Sequence, residues 1–305
     1  MIVGYHMSSL PLHDEASAIS ALREMGYGAI ALVPRRTSLR LDSQRGRDLV
    51  AELGEQSRAE GIEPVLALES PFVADPGMPR WPSLASEDKE EAEASDILTR
   101  QWIEAAASLR AKLVTFSSGS PHSLTASPDD MTPDKGAASL DRLSRRINGL
   151  RILARDLGVT LALRPSAGHA VATIAHYERL LQWIDDPRGL TLAAEVDAMV
   201  QAGEMPVADR LMRHLDALEC LYIDNRQLGS GADKNNPLAF DGTRLLRTLK
   251  QSGYRGRVIL RRRGEPSKTT VRQSGLIAWP SLADAGVAID AFRVAVGETG
   301  LGSPA

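Results

Sequence analysis

Cysteine is nearly missing from this chain: Cys220 is the single one in 305 residues, so an internal disulfide is impossible, and no Cys/His cluster has zinc-site spacing. A reducing compartment is the expectation. There is no basic excess either, since Lys plus Arg is 36 against 39 for Asp plus Glu, a formal charge of -3. A protein that lives by phosphate contacts is usually clearly basic, so bulk charge gives no argument for a nucleic-acid partner. No apolar run reaches the ~18 residues of a membrane span, and the opening Met-Ile-Val-Gly-Tyr-His-Met has no basic region followed by an apolar stretch. We therefore expect a cytoplasmic, soluble protein with no membrane partner. Aromatic residues are scarce at 4%, but 43% of positions are hydrophobic and 25% charged, which excludes disorder, collagen and a small disulfide scaffold.

The length fits two domains of about 150 residues or one α/β barrel of roughly 250. The order of elements decides between them. Short apolar runs rich in β-branched residues occupy 2–6, 29–33, 64–69, 113–117, 160–164, 190–195, 218–224 and 257–261. Stretches of helical spacing alternate with them at 14–25, 43–60, 89–110, 137–157, 174–184, 207–215, 243–251 and 281–296. Several helical stretches end in glycine before the next strand (Gly26, Gly61, Gly158, Gly253), which suits a left-handed C-cap. Eight such units predict a single (β/α)₈ TIM barrel over 1–296, followed by a flexible tail at 297–305. A doubly wound sheet is the alternative, but Met-Ser-Ser-Leu follows the first strand where a Gly-rich phosphate fingerprint would stand. Two long polar, Pro-rich connections, 70–87 and 118–135, fall at strand ends, where barrel enzymes bind substrate. Trp81 and Phe72 in the first of them suit an apolar lid or an oligomer contact.

Several segments resemble xylose isomerase-like barrels, a superfamily of sugar (phosphate) isomerases and epimerases that also includes the endonuclease IV type of enzyme. They are the opening Ile2-Val3-Gly4-Tyr5-His6, the unit from Leu22 to Ile30, the unit from Ala105 to Val114 and Asp186-Pro187-Arg188-Gly189-Leu190. The likeness continues through Val200-Gln201-Ala202-Gly203-Glu204, Leu221-Tyr222-Ile223-Asp224-Asn225 and the unit from Leu249 to Leu260. The resemblance implies a sugar isomerase or epimerase whose divalent metal is held by Glu, Asp, His and Glu at the ends of the fifth to eighth strands. Carried over residue by residue, those positions are Arg164, Glu195, Leu221 and Arg261. Two further polar positions of the pattern match Ala31 and Ala198, whereas Asp224, in a His-x-x-Asp pattern on the seventh strand, is kept. The formal charge at the four ligand positions changes from -3, with neutral His, to +1. A hard cation needs several converging oxygen or imidazole ligands, so no cofactor is expected at the standard position.

The individual residues leave alternatives open. Arg164 and Arg261 at strand ends suit a guanidinium pair that clamps an anion, or an Arg-Glu-Arg cluster with Glu195 that fills the vacated metal position. Glu195 and Asp224 are the candidate catalytic bases, and Asp197, two residues beyond Glu195, shares its face if the strand continues. His6, Glu69 and the pair Ser117-Ser118 end strands on the catalytic side; His6 suits a polar pocket or a structural bond to a carboxylate. His169 is a loop histidine, either a base or a solvated ring. The run Arg261-Arg262-Arg263 alternates faces and is weak evidence for nucleic acid in a chain of charge -3. Cys220, within an apolar strand, reads as inert.

The expected function is that of a sugar isomerase/epimerase-family barrel without the standard metal, acting on a small sugar, polyol or sugar acid. In it Arg164, Arg261, His6, Glu69 and His169 bind the sugar-like or anionic ligand. The alternatives are a catalytically silent ligand-binding or partner subunit, and an isomerase in which Glu195, Asp197, Asp224 and His169 hold manganese, magnesium or zinc as shifted ligands. A homo-oligomer is compatible with each.

Overall fold

The computed structural model describes residues 1–34, 39–68, 83–121, 133–184, 186–228, 240–262 and 281–297, with the backbone alone at 133–137. Its strands are β1 (Ile2–His6), β2 (Ala29–Leu32), β3 (Glu63–Leu68), β4 (Leu113–Phe116), β5 (Thr160–Leu163), β6 (Leu190–Glu195), β7 (Leu218–Asp224) and β8 (Arg257–Arg261). All eight pair in parallel and in chain order, and β8 pairs back onto β1 to close the barrel. The helices are α1 (Glu15–Glu24), α2 (Gln44–Glu60), α3 (Lys89–Ser108), α4 (Pro133–Asp156), α5 (Ile174–Leu181), α6 (Val196–Gln201), α7 (Val207–Met212), α8 (Gly242–Gln251) and α9 (Leu282–Val296). The chain is thus a single (β/α)₈ barrel, and the doubly wound alternative falls because the sheet has no edge.

Local chemistry starts and stops these elements. Asp14, Ser43, Asp88 and Thr173 each accept a backbone N–H from the first turn of the helix they precede, which satisfies donors that have no partner inside the helix. At the other end of α2, Gly61 takes φ 66° and turns the chain toward β3. The helix α6 has no counterpart among the expected elements, since it is only six residues long and follows β6 with no loop between them. The tips of the two long connections, with Phe72 and Trp81, lie outside the described residues, as do Glu69 and the tail beyond Gly297.

Alternation along the strands splits the core in two. One set of side chains faces the helices, with Ile30, Leu66, Val114, Leu161, Leu192, Leu221 and Leu260 among them. The other fills the barrel: Ala29, Ala31, Val65, Ala67, Leu113, Ala162, Ala193, Cys220, Tyr222 and Ile259. The interior is narrow. A Cβ added to Gly4 on β1 would come within 2.6 Å of Ile259 Cδ1 and 2.9 Å of the Ala29 Cβ. At the N-terminal end of the barrel Arg257 joins Glu63 and, at 3.0 Å, Glu219.

One irregularity matters for the mouth. Leu192 pairs with Leu218 but the next residue, Ala193, pairs with Cys220, so Glu219 is an extra residue in β7. Such a bulge flips every later side chain of the strand to the opposite face. Leu218 faces the helices, whereas Cys220 and Tyr222 enter the barrel. No helix among the described residues is long and apolar enough to cross a membrane.

Candidate functional site

The strand ends gather a cluster of charged and polar groups at the C-terminal mouth. Arg164 follows β5 directly, and its N–H donates to the Phe116 carbonyl at 2.7 Å, which carries the sheet ladder one residue past the strand. Glu195 closes β6 and Arg261 closes β8. His6, Thr115, Ser117, Arg164, Glu195, Asp224 and Arg261 are all buried. Each continues the alternation of the residues that fill the barrel. Charges this far from water require partners.

Arg261 pairs with Glu195 through Nη2 and Oε1, with side-chain exposures of 8% and 4%. The Arg164 guanidinium carbon lies 5.2 Å from the centroid of the Tyr222 ring, and that of Arg261 lies 6.0 Å from it. Both distances are in the range of cation–π attraction. The Tyr222 hydroxyl is 2.7 Å from the Thr115 hydroxyl across the barrel, and the His6 ring stands edge-on to Tyr222 at 5.8 Å. His6 Nδ1 accepts the Ser8 N–H at 3.2 Å and lies 2.7 Å from the Ser8 hydroxyl. Tyr222 is thus the hub of the mouth.

Tyr222 corrects the carry-over to the seventh strand. Leu221 packs among the helix-facing residues, and Tyr222 stands in the barrel, register partner of Glu195. The bulge at Glu219 is the physical reason. Alternation counted back from Asp224 would have placed Tyr222 inward, because the two residues are two apart. Asp197 is also displaced from its expected face, because the strand stops at Glu195 and α6 begins at Val196. Its Oδ1 accepts from Gln227 Nε2 at 2.6 Å.

The remaining expected site residues are spread around the rim. Asp224 accepts from the Arg226 guanidinium at 2.9 and 2.8 Å and from the Arg226 N–H at 2.9 Å, which caps the short turn 225–227. His169 is half-buried in the β5–α5 connection, where its Nδ1 accepts the Gly119 N–H at 3.1 Å and ties two loops together. Ser118 Oγ accepts the Val171 N–H at 3.0 Å beside it. The neighbouring Ser117 Oγ is buried with no hydrogen-bond partner among the described residues. Cys220, fully buried below Tyr222, has its thiol pKa pushed up to about 12 by desolvation.

A divalent metal of the kind the family likeness implies does not fit this donor set. Two of the four positions offer guanidiniums, the third an aromatic ring, and the carboxylate of the fourth already holds Arg261. The shifted ligands do not converge either, since Asp197, Asp224 and His169 point to Gln227, Arg226 and Gly119. Among the described residues no group of three or more His, Cys, Asp or Glu side chains is placed to hold a metal ion.

A family model for xylose isomerase-like TIM barrels matches residues 19–280. The chain belongs to that family. Solved structures agree in architecture. A D-psicose 3-epimerase studied in the presence of D-fructose superimposes with a TM-score of 0.72 at 16% identity, over 97% of this chain and 100% of the other. The D-psicose 3-epimerase of Clostridium cellulolyticum H10, with D-tagatose, gives 0.73 at 12% identity over 97% and 99%. A 3-keto-D-glucoside 4-epimerase from E. coli gives 0.67 at 17% identity over 90% and 97%. At such identities the likeness establishes the barrel fold and no more. No curated protein sequence matches the chain significantly.

Proposed function

We propose that this member of the xylose isomerase-like family works without the standard divalent metal and takes a small sugar, polyol or sugar acid at the mouth of its barrel. The observation that carries this reading is the buried pair of Arg261 with Glu195, beside an Arg164 held on the Tyr222 ring, at the positions where the family pattern has metal ligands. Fixed positive groups in a dry site can do what a Lewis acid does elsewhere, which is to stabilise negative charge as it develops on a carbonyl oxygen. In an isomerisation of this type a base removes the proton from the carbon beside the carbonyl. The C–H electron pair moves to the oxygen as an enediolate, and the proton then returns to carbon. Glu195 and Asp224 are the candidate bases, and Arg164 and Arg261 the groups that would meet the oxyanion.

A second reading, a catalytically silent binding or partner barrel, is favoured by the burial of that same ion pair, in which the protein's own charges engage each other. One pair of measurements separates these readings. Titration of the purified protein with Mn²⁺, counting the free ion by electron paramagnetic resonance at neutral pH, is expected to find no site tighter than millimolar. A tight site would remove the metal-free reading. In parallel, D-fructose, D-glucose and D-glucuronate are incubated with the enzyme and followed by proton exchange from C–H in deuterated water. Exchange abolished by Glu195→Gln supports the isomerase, and no exchange in any of the three supports the silent barrel.

A further inference from the structure

A cleft on the outer wall of the barrel, separate from the mouth, opens between α2 and α3. The two helices meet closely at Gly54, where an added Cβ would come within 2.6 Å of the Ser108 carbonyl oxygen. Earlier on α2 they part around a cavity of about 320 Å³, at the low end of the range for small-molecule sites. Gly46 lets the loop that carries Leu41 lie directly on the first turn of α2, since a Cβ there would strike the Arg40 carbonyl oxygen. The floor of the cleft is apolar. Val50 and Ala105 are 2% and 9% exposed, and Leu41 is a half-buried residue packed against the core.

Its two walls carry opposite charges. Arg47 stands on α2, its guanidinium placed by bonds to the Leu41 carbonyl at 2.7 Å and to Gln44 Oε1 at 3.0 Å, and Glu104 stands on α3. Both are exposed, and among the described residues neither forms an ion pair with the other or with a third group. The acids of the adjoining stretch are engaged elsewhere or turned away. Asp42, which feels the charge of Arg47, takes the Arg40 Nε donor at 2.8 Å, and Glu55 joins Arg58 at 3.0 Å and Arg110 at 2.6 Å. Asp48 accepts from Gln44 Nε2 at 2.8 Å, and neither it nor Glu52 lines the cleft.

We propose that this cleft binds a small zwitterion, a free amino acid with an apolar side chain, whose carboxylate meets Arg47, whose ammonium meets Glu104 and whose side chain lies on Leu41, Val50 and Ala105. The ligand class follows from complementarity. A guanidinium fork matches a carboxylate, and a carboxylate matches an ammonium. A molecule with one charge satisfies one wall and leaves the other without a counter-charge, whereas a zwitterion satisfies both and adds no net charge. The apolar floor between the two walls takes the uncharged part of the ligand. A cavity of this size suits one small molecule, since a protein partner needs a far larger contact.

Saturation-transfer NMR titration with L-leucine, and with 4-methylpentanoate and 3-methylbutylamine as its single-charge analogues, tests the assignment. L-Leucine should bind about fivefold more tightly than either analogue, the upper end of what one solvent-screened ion pair supplies. Glu104→Gln should weaken L-leucine to the level of 4-methylpentanoate and leave that acid unchanged. Arg47→Gln should weaken it to the level of 3-methylbutylamine and leave that amine unchanged. Ala105→Leu, which fills the floor, should abolish binding of all three; if it does not fold, the two charge variants, both at exposed positions, carry the test. L-Leucine bound no more tightly than its analogues overturns the zwitterion class. Binding that every variant leaves intact overturns the site, and no binding of any of the three probes overturns both. None of these results touches the sugar reading of the mouth, which stands on other residues.

Discussion

The pair at the mouth makes a quantitative demand on stability. In Arg261→Met the carboxylate of Glu195, 4% exposed, keeps its burial and loses the Arg261 guanidinium. Breaking a buried pair from one side costs about 3–5 kcal/mol, because the desolvation of the remaining charge is no longer offset. The lost contact of Arg261 with Tyr222 adds less, since at 6.0 Å it lies at the outer limit of cation–π attraction, worth about 2 kcal/mol in a desolvated site at closer approach. The charge effect therefore dominates. Removing both charges together, as Glu195→Leu/Arg261→Met, should restore stability to within about 1 kcal/mol of wild type or exceed it, since apolar side chains of similar volume replace buried pairs at no net cost. Urea unfolding of wild type, the two single variants and the double variant reads this as shifts in midpoint at constant slope. A loss below about 1 kcal/mol for Arg261→Met would refute the reasoning, because it would mean that water reaches the pair and screens it.

Three further outcomes follow from the geometry. Tyr222→Phe removes one hydroxyl from a buried pair with Thr115 at 2.7 Å, and the stranded Thr115 hydroxyl should cost about 1–3 kcal/mol in the same urea assay. Burial raises the carboxyl pKa of Glu204, which accepts the Ile174 N–H at 2.9 Å. The folded state then holds the proton more tightly than the unfolded chain. The stability this contributes is complete below the ordinary Glu pKa and is lost as pH rises through the folded one, so Glu204→Gln should flatten the fall in stability above the ordinary Glu pKa. An unchanged slope would contradict the assignment. Cys220, buried and with its thiol pushed up to about 12, should stay unreactive toward Ellman's reagent in the native protein and release one equivalent in guanidinium.

The barrel was legible in the sequence because its signal is repeated eight times. Each strand is a short apolar run, most helices have a capping residue, and the alternation of the two periods leaves one architecture that closes. The elements that were not legible are those with too few residues to show a period. Six residues of α6 complete less than two turns, and their start at Val196 takes Asp197 off the face that a continuing strand would have given it.

The site was legible in kind but not in one decisive position. That Arg164, Glu195 and Arg261 share the mouth follows from strand ends alone, and the structure brings Arg261 and Glu195 into contact. Which residue of the seventh strand joins them depends on Glu219, a single inserted residue that reverses the faces of Leu221 and Tyr222. A bulge leaves no mark in hydrophobicity when the residues on either side of the sheet are both buried, as Leu221 and Tyr222 are here. Parity within the strand holds with or without the bulge: Tyr222 and Asp224, two apart, share a face, and Leu221 cannot share it with them. Among the described residues the mouth is therefore organised around the Tyr222 ring, with both arginine guanidiniums beside it. A ring that draws guanidiniums to it cannot be exchanged for a cation-binding residue without reversing both arginines as well. At the described mouth the two guanidiniums, the Glu195 carboxylate and the Tyr222 ring form one set, each in contact with another member.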